Sequence, residues 1–82
     1  MNSLQKLPNI GNVLAKKLEE VGIQNENELK EVGSEKAFML VKSIYPDACI
    51  NHLYAIEGAI QGIRWHSLSQ ARKNELNTFF KM

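Results

Sequence analysis

The chain has 82 residues and is 44% hydrophobic, which suits one small domain with a single core and is too apolar for disorder. Lys and Arg number 10 against 9 Asp and Glu, for a net charge of +1; this argues against an autonomous high-affinity nucleic-acid binder, because phosphate contacts need a clear basic excess. No apolar run approaches the roughly 18 residues of a membrane span, no basic-then-apolar leader opens the chain, and the single Cys49 rules out an internal disulfide and fits a reducing cytoplasm.

Residues 1–6 have room for one helical turn, with Leu4 and Leu7 turned inward. Pro8 then fixes its own φ and pushes Leu7 out of helical dihedrals, so no helix runs on from the N-terminus. Asn9 and Gly11 tolerate unusual backbone angles, which predicts a tight turn feeding a helix over residues 11–21. Leu14, Leu18 and Val21 recur at helical spacing, with Ala15 alongside. Gly22 takes the C′ position, and Ile23 folds back on the last turn. A loop that presents backbone N–H groups at the start of a helix is a candidate anion site.

That stretch resembles the helix-hairpin-helix motif, Leu-Pro-Gly-Ile-Gly, three variable residues, Ala, a basic pair and Leu. Leu7, Pro8, Ile10, Gly11, Ala15, Lys16, Lys17 and Leu18 match it, and Asn9 stands where the motif has its first glycine. The resemblance implies a phosphate held by the hairpin amides without reading of sequence. Asn9 can be left-handed, but its side chain can also crowd an approaching phosphate. The plainer alternative is a compact turn between helices used for packing.

Asn25 and Glu28 have the spacing of a capping box, opening a short helix in which Leu29 and Val32 are buried and which Gly33 ends. Ser34 is placed to cap the next helix, with Glu35 in its first turn, Ala37, Phe38, Leu40, Val41 and Ile44 as its apolar positions, Met39 as gap filler or surface, and Pro46 as its stop. Asp47 is the cap candidate for the longest helix, over residues 48–65. Cys49, Leu53, Ile56, Ile60 and Ile63 form its apolar stripe, and Tyr54, Glu57, Gln61 and Arg64 follow the same spacing on another face. Ala55, Gly58, Ala59 and Gly62 are small, and each interior glycine costs a helix about 1 kcal/mol relative to alanine. Their presence predicts a neighbouring helix in close approach, from within the chain or from a second copy. His66 suits the C-terminal end of that helix, Ser67 or Ser69 can cap the last one over residues 69–80, and Leu68, Ala71, Leu76, Phe79 and Phe80 are available for burial. With no strand alternation anywhere, the fold class is all-α, a compact single-domain bundle of about five helices with short connections.

Catalytic constellations are poorly represented. Cys49 on an apolar stripe reads as an inert small hydrophobe, and a nucleophilic pair with His52 lacks both an oxyanion site and an orienting acid. Two histidines and one cysteine give no metal-ligand spacing, so neither metal nor cofactor is expected, and an enzyme is the least supported class.

The run over residues 48–66, above all Leu-Tyr-Ala-Ile-Glu-Gly-Ala-Ile-Gln-Gly-Ile-Arg-Trp at 53–65, is similar to the signature of the C-terminal domain of the TfoX (Sxy) competence regulators. Residues 7–11, 22–23 and 29–33 match that family too, so the resemblance covers nearly the whole chain. It implies a small helical domain with a helix-hairpin-helix-like (SAM-like) core. It also implies kinship with regulators of natural transformation that help induce DNA-uptake genes beside a DNA-bound activator.

Two classes of function follow. In the first, a regulator binds DNA weakly and without sequence preference, through the backbone of Asn9, Ile10 and Gly11 with Lys16 or Lys17 nearby. In the second, a protein-interaction or homodimerisation module uses Tyr54, Glu57, Gln61, Arg64 and Trp65, since Tyr, Trp and Arg are enriched at interface hot spots. A regulator that holds a DNA-bound transcription activator would combine the two.

Overall fold

The computed structural model describes residues 3–82; Met1 and Asn2, at the start of the expected first turn, lie outside the described residues. Five α-helices follow a 3-10 turn over Ser3–Lys6: α1 Asn12–Glu20, α2 Glu26–Val32, α3 Ser34–Ile44, α4 Ile50–Gln61 and α5 Gln70–Lys81, with a second 3-10 turn, Trp65–Ser67, between the last two. No strand occurs among the described residues. The fold is an all-α bundle of 34 × 25 × 20 Å.

The helical periodicities in the sequence generate the core directly. Leu14, Ala15 and Leu18 of α1, Leu29 of α2, Ala37, Phe38 and Val41 of α3, Leu53, Ile56 and Ala59 of α4, and Leu76 of α5 bury together with Leu4, Ile10 and Ile23. α3 and α4 form the principal packed pair; α1 lies on α3, the short α2 touches both, and α5 docks on α4. α2 is too short to persist in isolation. Its N-terminus is fixed by Asn25, whose side chain accepts from Glu28 N at 2.9 Å, while Glu28 reaches back one residue further than a capping box requires and accepts from Gln24 N at 2.8 Å.

The helix ends show where local reasoning and the fold diverge. α1 ends as expected, with Gly22 N on Glu19 O and Ile23 N on Leu18 O. The long helix is shorter than predicted. Cys49, not Asp47, is its N-cap, and Gly62, in the left-handed region at φ 75°, is the cap that ends it rather than an interior residue. Ser34 does not cap α3, whose N-cap is Gly33; Ser34 is the helix's first residue, buried, with its hydroxyl used elsewhere. Ser69 caps α5 by accepting from Arg72 N at 3.1 Å.

Gly58 is the one glycine inside a helix, and the predicted close approach occurs there, within the chain. What approaches is not another helix: a Cβ at Gly58 would lie 2.5 Å from Asn9 Nδ2, 2.8 Å from Ile63 O and 3.2 Å from Trp65 Cα. The missing side chain makes room for the hairpin asparagine and for the chain returning after α4.

Candidate nucleic-acid interface

α1 begins without a side-chain cap. Gly11 occupies the N-cap position in extended backbone (φ −93°, ψ −172°), and the first ladder bond is Ala15 N to Gly11 O at 3.0 Å. The amides of Asn12, Val13 and Leu14 therefore have no protein acceptor among the described residues, leaving an uncompensated positive helix end. Nothing within the fold demands glycine at position 11: its φ is ordinary, and a Cβ there would meet no atom within 4 Å. The space in front of this turn is open.

Asn9 determines that openness. It sits at φ 70°, the one non-glycine residue at positive φ among those described. Its side chain points into the molecule, away from any approaching ligand. Nδ2 donates to Ile63 O at 2.9 Å and to Ala55 O at 3.4 Å, and Oδ1 accepts from Trp65 N at 3.1 Å. The substitution that threatened to crowd the hairpin instead clamps it to the end of α4. Ile10 puts its side chain in the core and leaves only its backbone at the turn. Lys16, one helical turn beyond Asn12, is exposed and makes no ion pair among the described residues. Lys17 is drawn elsewhere, its Nζ 4.6 Å from the centre of the Tyr45 ring. Between the first turn of α1 and the start of α4 runs a cleft of about 360 Å³, lined by Gly11, Asn12, Val13, Asn51 and His52 among others. Val13, 69% exposed, stands at its rim and was not singled out in the sequence.

The second group of sequence-selected residues divides. Tyr54 and Trp65 stack with ring centres 6.2 Å apart and planes 10° from parallel, and Arg64 beside them is exposed and makes no ion pair among the described residues. Glu57 turns inward. Its Oε1 accepts from Ser34 Oγ at 2.5 Å and from Arg72 Nη2 at 3.0 Å, and its Oε2 accepts from Gln61 Nε2 at 2.5 Å. Burial by itself would push this carboxyl up, but the hydrogen bonds from Arg72, Ser34 and Gln61 and the Arg72 charge outweigh it and hold the pKa below the ordinary glutamate value. The group is a charged tie joining α3, α4 and α5. Arg72, its main partner, was missed in the sequence because it lies 15 positions away on another helix and no local pattern links the two.

Cys49 also departs from expectation. It is exposed at the N-cap of α4, not on the apolar stripe, with Sγ 3.3 Å from His52 Nδ1, which in turn accepts from Cys49 N at 3.1 Å. That exchange closes the helix end in the manner of a capping box. Among the described residues no cluster of three or more His, Cys, Asp or Glu could hold a metal ion, and no helix is long and apolar enough to cross a membrane.

Comparison with known proteins agrees with this geometry. The family described as the TfoX C-terminal domain matches residues 1–80. Two crystal structures superpose closely. One is of an uncharacterized protein from Listeria monocytogenes in a triclinic form, at TM-score 0.94 and 49% identity over 95% of this chain and 89% of that one. The other is of a protein of unknown function from Listeria monocytogenes in a tetragonal form, at TM-score 0.93 and 49% identity over 95% of both chains. No curated protein matches the chain. A match over nearly all of its length, on the helical scaffold just described, makes this chain a member of the TfoX C-terminal domain family.

Proposed function

We propose that this domain is a non-enzymatic regulatory module, in a transcription-linked role of the kind the competence regulators of its family carry, and that it holds nucleic-acid backbone weakly and without sequence preference at the first turn of α1. The observation that carries this reading is the pair of positions 9 and 11. Asn9 is withdrawn into hydrogen bonds with Ile63, Ala55 and Trp65, and Gly11 leaves open space before three uncapped amides. A phosphate oxygen fits such a helix end by hydrogen bonding and by the helix dipole. Lys16 adds one mobile charge nearby. Contacts of this kind go to the sugar–phosphate backbone and carry no base information.

The net charge of +1 limits the strength of the contact. Affinity for a short duplex is expected in the range of roughly 10–1000 µM at low salt, with a shallow salt slope reflecting about one or two phosphates. Fluorescence anisotropy of a labelled duplex measures both. Lys16→Glu should weaken binding several-fold and flatten the slope. Unchanged binding in Lys16→Glu, or none by the wild type at millimolar protein and low salt, would rule the reading out.

A further inference from the structure

Trp65 opens the 3-10 turn after α4 and is 36% exposed, yet it is held in place on several sides. Its ring lies near-parallel to Tyr54, it meets the His66 ring at a steep angle with ring centres 4.9 Å apart, and its main-chain N–H is fixed by Asn9 Oδ1 at 3.1 Å. Lys73 Nζ lies 5.7 Å from the ring centre, and Arg64 precedes it in the chain. Neither Arg64 nor Lys73 pairs with a carboxylate among the described residues; the ion pairs found there are Lys30 with Glu26 and Arg72 with Glu35, Glu57 and Glu75. Trp65 is thus an ordered, part-exposed aromatic with one cation over its ring and another next to it in the chain, neither ion-paired among the described residues. The same Asn9 side chain that clears the front of α1 also contacts the Trp65 backbone, so aromatic pair and helix end are neighbours.

We propose that Trp65 is a stacking platform for an unpaired base of the strand whose phosphate α1 holds, so that the preferred partner is single-stranded nucleic acid. This rests on the α1 reading above. A pre-ordered indole offers stacking surface at little entropic cost, and base–aromatic stacking tolerates any sequence because every base has a π-face. Lys73 rides over the ring on a flexible stem, and an arriving base displaces it toward the flanking phosphate. A duplex keeps its bases stacked inside and can offer only its backbone. An acidic protein segment would use the cations and leave the ring idle.

Trp65 is the sole tryptophan, so the intact protein carries its own probe. Emission is followed at low salt while an oligothymidylate, a mixed-sequence duplex of equal charge, or poly-glutamate is added, and anisotropy of labelled oligonucleotide gives affinities. The expected result is saturable quenching by the oligothymidylate alone, and binding of that strand weakened at least about fivefold in Trp65→Ala. Because Trp65→Ala also unstacks Tyr54 and can perturb folding, the surface double variant Arg64→Glu/Lys73→Glu serves beside it and should weaken oligothymidylate binding several-fold with an unchanged melting temperature. Quenching by poly-glutamate to the same extent, an equal affinity for duplex, or single-strand binding with silent emission would overturn the proposal. If both nucleic acids bind in a Lys16-dependent manner while Trp65 stays silent, the platform fails and the α1 reading stands. If oligothymidylate still quenches Lys16→Glu with undiminished affinity, the platform stands and the α1 reading fails; no binding by any nucleic acid overturns both.

Discussion

A glycine at position 9 would accept φ 70° more readily than asparagine does, yet it would surrender the bonds to Ile63 O, Ala55 O and Trp65 N. The two effects oppose each other, and their sizes decide the outcome: each of the two part-buried hydrogen bonds contributes about 1 kcal/mol and the exposed one to Trp65 N somewhat less, against about 1 kcal/mol for relief at the left-handed backbone. Asn9→Gly should therefore destabilise the domain by about 1–2 kcal/mol, and Asn9→Ala by more, since alanine loses the bonds and dislikes the dihedral as well. Urea denaturation gives the order wild type, Gly, Ala. At Gly58 the usual helix propensities should be reversed. Alanine is better than glycine in a helix interior by about 1 kcal/mol. Here its Cβ would press on Asn9 Nδ2 and on the Ile63 carbonyl, backbone that cannot simply swing aside. Gly58→Ala is expected to cost about 1–3 kcal/mol, and a melting temperature equal to or above that of wild type would contradict the packing described.

At the scale of elements, α5 is the helix that most depends on a polar tie. Leu76 is its one fully buried side chain; Phe79 and Phe80 are partly covered, and Arg72 reaches Glu57 through a site whose other donors come from Ser34 and Gln61. Because the Glu57 pKa is lower in the folded state than in the unfolded chain, the stability it contributes is present above the ordinary glutamate value of about 4.3 and is lost as pH falls through the lower folded value. Thermal melts between pH 7 and pH 3 should show this loss in the wild type and a flatter profile in Glu57→Gln. Equal slopes would mean that the carboxylate is not ionised in the fold. Helix positions and apolar faces were legible in the sequence because they depend on neighbours three and four residues away. Leu14 and Leu18, or Leu53 and Ile56, announce their burial through spacing alone. Asn9 with Ile63, and Glu57 with Arg72, were not legible, since each pair joins residues 54 and 15 positions apart that only the packed bundle brings together. Cys49 and Ser34 were misplaced for a related reason: a helix end shifted by one or two residues exchanges an apolar position for a cap, or a cap for a buried hydroxyl.

For the molecule as a whole, a small bundle of net charge +1 has an uncapped first turn of α1 and, joined to it through Asn9, an ordered aromatic pair at Trp65 with Lys73 over its ring, while Arg72 and Lys30 are occupied by carboxylates and Lys17 by an aromatic ring. The hairpin signature was readable as a motif, but whether its front stays open was not, because that depended on which way Asn9 points. Gly11→Asp separates a binding role from a scaffolding one, since stability and binding should move in opposite directions. Aspartate is a better N-cap than glycine, its φ and ψ are already suitable, and no atom obstructs its Cβ, so α1 should gain a few tenths of a kcal/mol. The same carboxylate would satisfy the free amides and repel a phosphate. The decisive measurement is the low-salt titration of labelled DNA with Gly11→Asp beside wild type, with thermal melts of both. A protein that melts at or above the wild-type temperature and has lost its DNA affinity is the expected result. A protein equally stable that binds DNA as the wild type does would show that the open end of α1 holds no phosphate.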